Sequence, residues 1–133
     1  MNFSFINGYI PVGGEKYSQS NTSLFFSLVT KKGERIGNFN NNTPVIFWFS
    51  GGPGCTSQYD YFGAIGSLQV LANGSLVPRE FTWNDFATII FVDNPLNTGW
   101  SYSDYPNINV SSTVEAGSFM MDFFTQFYSN NLF

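Results

Sequence analysis

The 133-residue sequence is 43% hydrophobic and only 11% charged, a balance that supplies the core of one domain and excludes a disordered chain. Nine Asp and Glu against five Lys and Arg leave a net charge of −4, the wrong sign for a nucleic-acid binder. No apolar run approaches the roughly 20 residues that a membrane helix needs. With no histidine and a single cysteine, Cys55, the sequence offers neither an internal disulfide framework nor a transition-metal site, and its acids lack calcium-loop spacing. Aromatic residues make up 20% of the chain. Each such ring buries roughly 150–250 Å², and a domain this small has little interior, so some rings are expected to pack against protein outside residues 1–133.

In chain order, Phe5–Ile10 reads as a strand, closed by Pro11 and Gly13-Gly14. Ser23–Thr30 is a second. Residues 31–43 are polar and contain glycine, so they turn the chain, and the basic cluster Lys31-Lys32-Gly33-Glu34-Arg35 reads as a solvated hairpin tip. Val45–Phe49 is apolar throughout, which suits a strand buried on both faces of a parallel sheet. Residues 56–66 form a short helix, 81–86 are irregular, and Thr88–Val92 is another buried strand, followed by a polar loop to Asn109. Ser112-Thr113-Val114-Glu115 has a capping-box pattern, and Val114, Phe119, Met120, Phe123, Phe124 and Phe127 follow at helical spacing, predicting a helix over Thr113–Tyr128. The order predicts an α/β chain, with antiparallel strands leading into a mostly parallel sheet with flanking helices, as in the opening of an α/β-hydrolase domain. Residues 1–133 make one part of such a domain, and a further buried strand is expected next.

The chain opens on Met1-Asn2-Phe3 with no visible signal peptide. Five glycosylation sequons, at Asn2, Asn21, Asn41, Asn73 and Asn109, nevertheless lean toward the secretory route.

The chemistry concentrates at Ser50-Gly51-Gly52-Pro53-Gly54-Cys55. Three glycines and a proline straight after a buried strand make a tight turn with bare backbone, and glycine lets a ligand approach the main chain. Two readings fit: an ordinary strand-to-helix turn, or a loop whose N–H groups face an anion. A phosphate loop is disfavoured, because no Gly-Lys-Ser/Thr follows. In α/β-hydrolases one oxyanion-hole donor comes from the loop after the third strand, which is where this loop falls. Cys55 has no histidine to activate it as a nucleophile, so it reads as buried or cross-linked.

Several ordered segments resemble the serine carboxypeptidase family. Gly8-Tyr9-Ile10 and Leu24-Phe25-Phe26 resemble its first strands. Pro44–Ser57 resembles its signature Trp-Leu-Asn-Gly-Gly-Pro-Gly-Cys-Ser-Ser, and Trp83-Asn84 its Trp-Asn. Phe91–Pro95 with Thr98–Tyr102 resembles its Asp-Gln-Pro…Gly-Thr-Gly-Phe-Ser-Tyr segment. The resemblance covers about the N-terminal third of the family's domain. It implies cleavage of single residues from peptide C-termini by a Ser-His-Asp triad, without a cofactor. The triad itself is absent here, since there is no histidine and no Gly-x-Ser-x-Gly elbow. The implied partners are a peptide with a free C-terminus and the remainder of the domain, and the implied location is a lysosome or vacuole, or outside the cell.

Residue by residue, the resemblance makes Gly52 an oxyanion-hole donor and gives Ser50 and Gly51 to the substrate's terminal carboxylate. Trp48 joins the same hydrogen-bonded cluster, and Cys55 takes the place of a cysteine that pairs far downstream. The sequence departs from the pattern at Ser50, where the family has Asn, at Ala64, where it has Glu, at Ser67, where it has Pro, and at Asn97, where it has Gly. These departures weaken the carboxylate site more than the oxyanion site. They leave open an acyltransferase on the same fold, or a secreted glycoprotein that kept the fold and lost the chemistry.

Overall fold

Five strands pair into one sheet in the order β1 (Phe5–Pro11), β2 (Thr22–Val29), β6 (Thr88–Val92), β3 (Val45–Trp48), with β7 (Tyr102–Ser103) adding to β2. The computed structural model describes residues 2–17 and 19–129. Strands β1 and β2 form an antiparallel pair from Phe5↔Val29 to Pro11↔Ser23. β2 then pairs antiparallel with β6, and β6 pairs in parallel with β3, Val45 facing Thr88. The sheet therefore turns parallel at β3–β6. Between those two strands the chain runs through α1 (Ser57–Asp60) and a π-turn (Tyr61–Ile65), then a small hairpin of β4 (Leu68–Val70) and β5 (Leu76–Pro78). β7 and helix α2 (Thr113–Ser129) follow.

The unbroken apolar run of β6 follows from burial on both faces, because alternate side chains of a strand point to opposite sides. Ile90 and Val92 meet a core with Leu24, Phe26, Leu28 and the α2 rings Phe119, Phe123 and Phe127. Ile89 and Phe91 meet Val29 and Tyr61 on the opposite side. The three α2 phenylalanines recur every fourth residue and so share one helix face. Phe127 packs edge-on to Phe26 at 5.4 Å and to Phe47 at 5.5 Å, and stacks with Phe123 at 5.6 Å.

Four sequence expectations change. Val45–Phe49 packs on both faces but is not fully buried on either: Phe47 reaches the α2 core, Ile46 and Trp48 pack on the opposite side, and Val45 and Phe49 are exposed. With no second strand beside it among the described residues, the edge of β3 away from β6 is also open. Val114 does not join the apolar face of α2 but is 83% exposed. Five residues of helix separate it from Phe119, which at 3.6 residues per turn points it well away from the core. The β4–β5 hairpin lies where the sequence predicts no element. Its five-residue connection turns at Asn73-Gly74, with Gly74 at φ +82° and its N–H bonded to Leu71 O at 2.8 Å. Lastly, the polar loop before Asn109 contains the short strand β7.

The capping pattern ahead of α2 forms with one change of partner. Ser112 Oγ accepts the Glu115 N–H at 3.2 Å, but the Glu115 carboxylate reaches back to the Ser111 N–H rather than to that of Ser112. Ser112→Ala in the full-length protein should cost about 1 kcal/mol of stability, read as a lower midpoint in urea denaturation. An unchanged midpoint would show that the cap contributes nothing.

Candidate active site

The first turn after β3 carries the glycine-rich loop, and its conformation explains its composition. Gly52 lies at φ +134°, and a Cβ there would come within 3.1 Å of Gly54 N and 3.3 Å of Cys55 Sγ. Gly54 lies at φ +98°. Residues 51–55 are all exposed. With Ser50, Gly51, Gly52 and Pro53 on one side, Asn94 and Pro95 on another, and the start of α2 on a third, they bound an open cleft of about 540 Å³. The Gly52-Pro53 and Asn94-Pro95 peptide bonds in its walls are both cis.

Behind the loop, α1 supplies the support. Thr56 caps it, its hydroxyl accepting from the Gln58 N–H at 3.2 Å. The buried Ser57 hydroxyl donates to Val92 O at 2.6 Å and accepts from the Ser50 N–H at 3.0 Å, which ties the loop to the end of β6. The end of the π-turn that follows is held by Arg79, whose guanidinium donates to Phe62 O at 2.8 Å and Gly66 O at 3.1 Å. Tyr61, buried beneath this turn, has its phenol pushed up to about 12 by desolvation.

Of the residues singled out in the sequence, Trp48 and Ser50 are brought together on a third that was not, Asp60. Trp48 Nε1 donates to Asp60 Oδ2 at 2.8 Å, and the Ser50 hydroxyl donates to the same oxygen. Ala64, where the family has its Glu, is exposed, and Asp60 lies one helical turn earlier. The acid in contact with Trp48 and Ser50 thus comes from a position four residues before Ala64. The available signal was an isolated acid in the short helix after the loop, which alignment by position alone passes over.

Cys55 is exposed and free, not buried. It sits on the outward side of a loop with little side-chain mass to cover it. No group of three or more His, Cys, Asp or Glu side chains suited to a metal ion occurs among the described residues. No described helix is long and apolar enough to cross a membrane. Asn2, Asn21, Asn41, Asn73 and Asn109 are all exposed. Asn21 already uses its amide, donating to Asp104 Oδ2 at 2.8 Å, while Asn73 stands at the hairpin tip.

A parallel β3–β6 pair behind an antiparallel β1–β2 pair, with a bare-backbone loop after the third strand, defines the opening of an α/β-hydrolase. Comparison with known proteins takes this further. The family model for serine carboxypeptidases matches residues 1–131, and the chain belongs to the serine carboxypeptidase family. It is similar to a carboxypeptidase Y homolog A from Phaeosphaeria nodorum, at 40% identity over 87 residues, or 65% of this chain and 16% of that protein. It is also similar to a probable serine carboxypeptidase CPVL from Dictyostelium discoideum, at 32% identity over 98% of this chain and 26% of that protein. The crystal structure of Kex1(Δ)p, a prohormone-processing carboxypeptidase from Saccharomyces cerevisiae, superposes with a TM-score of 0.76 at 26% identity, covering 94% of this chain and 27% of that one. The chain thus spans roughly a quarter or less of the length of these relatives.

Proposed function

We propose that residues 1–133 are the part of a secretory-route serine carboxypeptidase that supplies one oxyanion donor and part of the substrate-carboxylate site. The supporting observation is the loop at 50–54. It combines a left-handed Gly52 at the cleft with a Ser50 held to Asp60 alongside Trp48. In this reading the Gly52 N–H stabilises the oxyanion of the tetrahedral intermediate, and Ser50 and Gly51 face the C-terminal end of a peptide. The nucleophilic serine, the histidine and the aspartate of the triad come from the rest of the protein, because residues 1–133 contain no histidine. The exposed sequons agree with passage through the secretory route, to a lysosome or vacuole or to the outside.

One observation favours a second reading, an acyltransferase on the same fold. A hydroxyl has a single hydrogen, and that of Ser50 is already given to Asp60. The site then holds one donor fewer for a free carboxylate.

The test is turnover of the full-length protein on blocked dipeptides across the acidic and neutral range, with and without an acyl acceptor. Hydrolysis stopped by a serine-directed reagent is the expected result. Residues 1–133 produced alone should show none. Acyl transfer to the acceptor in place of hydrolysis would favour the second reading, and no turnover of either kind would overturn both.

A further inference from the structure

Asp93, the first residue after β6, is fully buried, and its carboxylate joins the two loops that wall the cleft. Oδ1 accepts from Thr56 Oγ1 at 2.7 Å and from the Ser57 N–H at 2.8 Å. Oδ2 accepts from the Trp100 N–H at 2.9 Å. The main chain of the same residue is bonded as well: its N–H donates to Phe25 O at 3.0 Å, and its carbonyl accepts from Ser101 Oγ at 2.6 Å. All three groups facing the carboxylate are donors, which suits a carboxylate and opposes an amide, since a carboxylate only accepts. Gly99 permits the approach of the 99–101 turn. It lies at φ +53°, and a Cβ there would overlap the Asp93 carboxylate and come within 2.7 Å of Thr56 Oγ1. From Asp93 the chain of bonds continues through Ser57, whose hydroxyl accepts the Ser50 N–H at 3.0 Å, and so reaches the residue directly before Gly51 and Gly52.

We propose that Asp93 is a positioning residue for the glycine-rich loop: through Ser57 and Thr56 it fixes where the Ser50–Gly52 backbone stands, without touching the substrate. A buried carboxylate with three donors is more than a strand end requires. Hydrogen bonds to a charged group are stronger than those between neutral groups, and two of these three come from the N-cap and first residue of α1, the element that holds the loop. An error of about an ångström in an oxyanion donor is enough to cost turnover. The activity arm of this proposal rests on the carboxypeptidase reading, but the loop-order arm does not.

The experiment uses the full-length protein with Asp93→Asn, Thr56→Val and Thr56→Ser. One readout is amide hydrogen exchange over residues 50–57, and the other is kcat and KM on a blocked dipeptide. Asp93→Asn should speed exchange across 50–57 by about ten- to a hundredfold while β1 and β2 keep wild-type rates, and kcat should fall by a similar factor with KM little changed. Thr56→Val should act in the same direction by about three- to tenfold, and Thr56→Ser, which keeps the hydroxyl, should restore both readouts. Unchanged exchange over 50–57 in folded Asp93→Asn overturns the proposal. So does acceleration spread evenly over the whole chain, which would mean that Asp93 only stabilises the fold. If Asp93→Asn fails to fold, the Thr56 pair decides by the same criteria. If the wild-type protein turns over no peptide, the carboxypeptidase reading fails, and the exchange data alone decide the role of Asp93.

Discussion

Gly52→Ala in the complete enzyme should lower kcat by about 10²–10³ while the melting temperature stays near that of wild type, the loss expected when one oxyanion-hole donor is displaced. The substitution keeps the N–H but cannot keep its direction. The φ of +134° is one that side-chain-bearing residues rarely adopt, and the added methyl would sit 3.1 Å from Gly54 N and 3.2 Å from Cys55 N. The loop must therefore turn its backbone, and the amide moves off the cleft. Stability should fall a little, as at any positive φ, and no further, because residues 51–55 are exposed and bury nothing. Gly74→Ala separates strain from chemistry: it too sits at positive φ, with open space around it, at the remote hairpin tip. That variant should lose a little stability and no turnover. Near-normal kcat in a folded Gly52→Ala enzyme would count against the oxyanion assignment.

What the sequence disclosed follows the range of the forces involved. β6 and α2 were legible because their signals are local: an unbroken apolar run at Thr88–Val92, and a cap followed by phenylalanines four apart. The glycine-rich loop was legible because a left-handed backbone leaves its mark in composition. β3 is legible as a strand, but its apolar run cannot say how completely residues 1–133 cover its two faces. The β4–β5 hairpin had a signal in Asn73-Gly74, but the same residues also read as a sequon, and the flanking strands have only three residues each. Asp60 and Asp93 were not legible as site residues. Apart from Trp100, seven positions from Asp93, their partners lie 10 to 37 positions away, from Ser50 to Asp60 and from Thr56 to Asp93, and only the return of the chain from β3 through α1 to β6 brings them together.

If the site receives a free carboxylate, as proposed, Asp60 bears on how it does so. Ser50 gives its hydrogen to Asp60 Oδ2, and Trp48 Nε1 gives its own to the same atom at 2.8 Å. An arriving carboxylate therefore meets the lone pairs of Ser50 with a second carboxylate behind them, which is an unfavourable arrangement for a partly desolvated anion. A C-terminal amide or ester brings no such charge. The natural enzyme should accordingly discriminate poorly between a peptide acid and the matching amide. Asp60→Asn removes that charge. Trp48 and Ser50 face the same oxygen, so the asparagine places its amide oxygen there, still accepts from both, and leaves no carboxylate behind the serine. A like-charge contact in a partly desolvated site costs on the order of 1.5–3 kcal/mol, so the acid-to-amide ratio of kcat/KM should rise by about ten- to a hundredfold in Asp60→Asn. Ala64→Glu alone should change it far less, because Ala64 is exposed and outside the Trp48–Asp60–Ser50 cluster. The measurement is kcat/KM for one acid–amide pair in the wild type, Asp60→Asn and Ala64→Glu. A strong acid preference in the natural enzyme that Asp60→Asn leaves within threefold would mean that the carboxylate is held by residues outside this cluster.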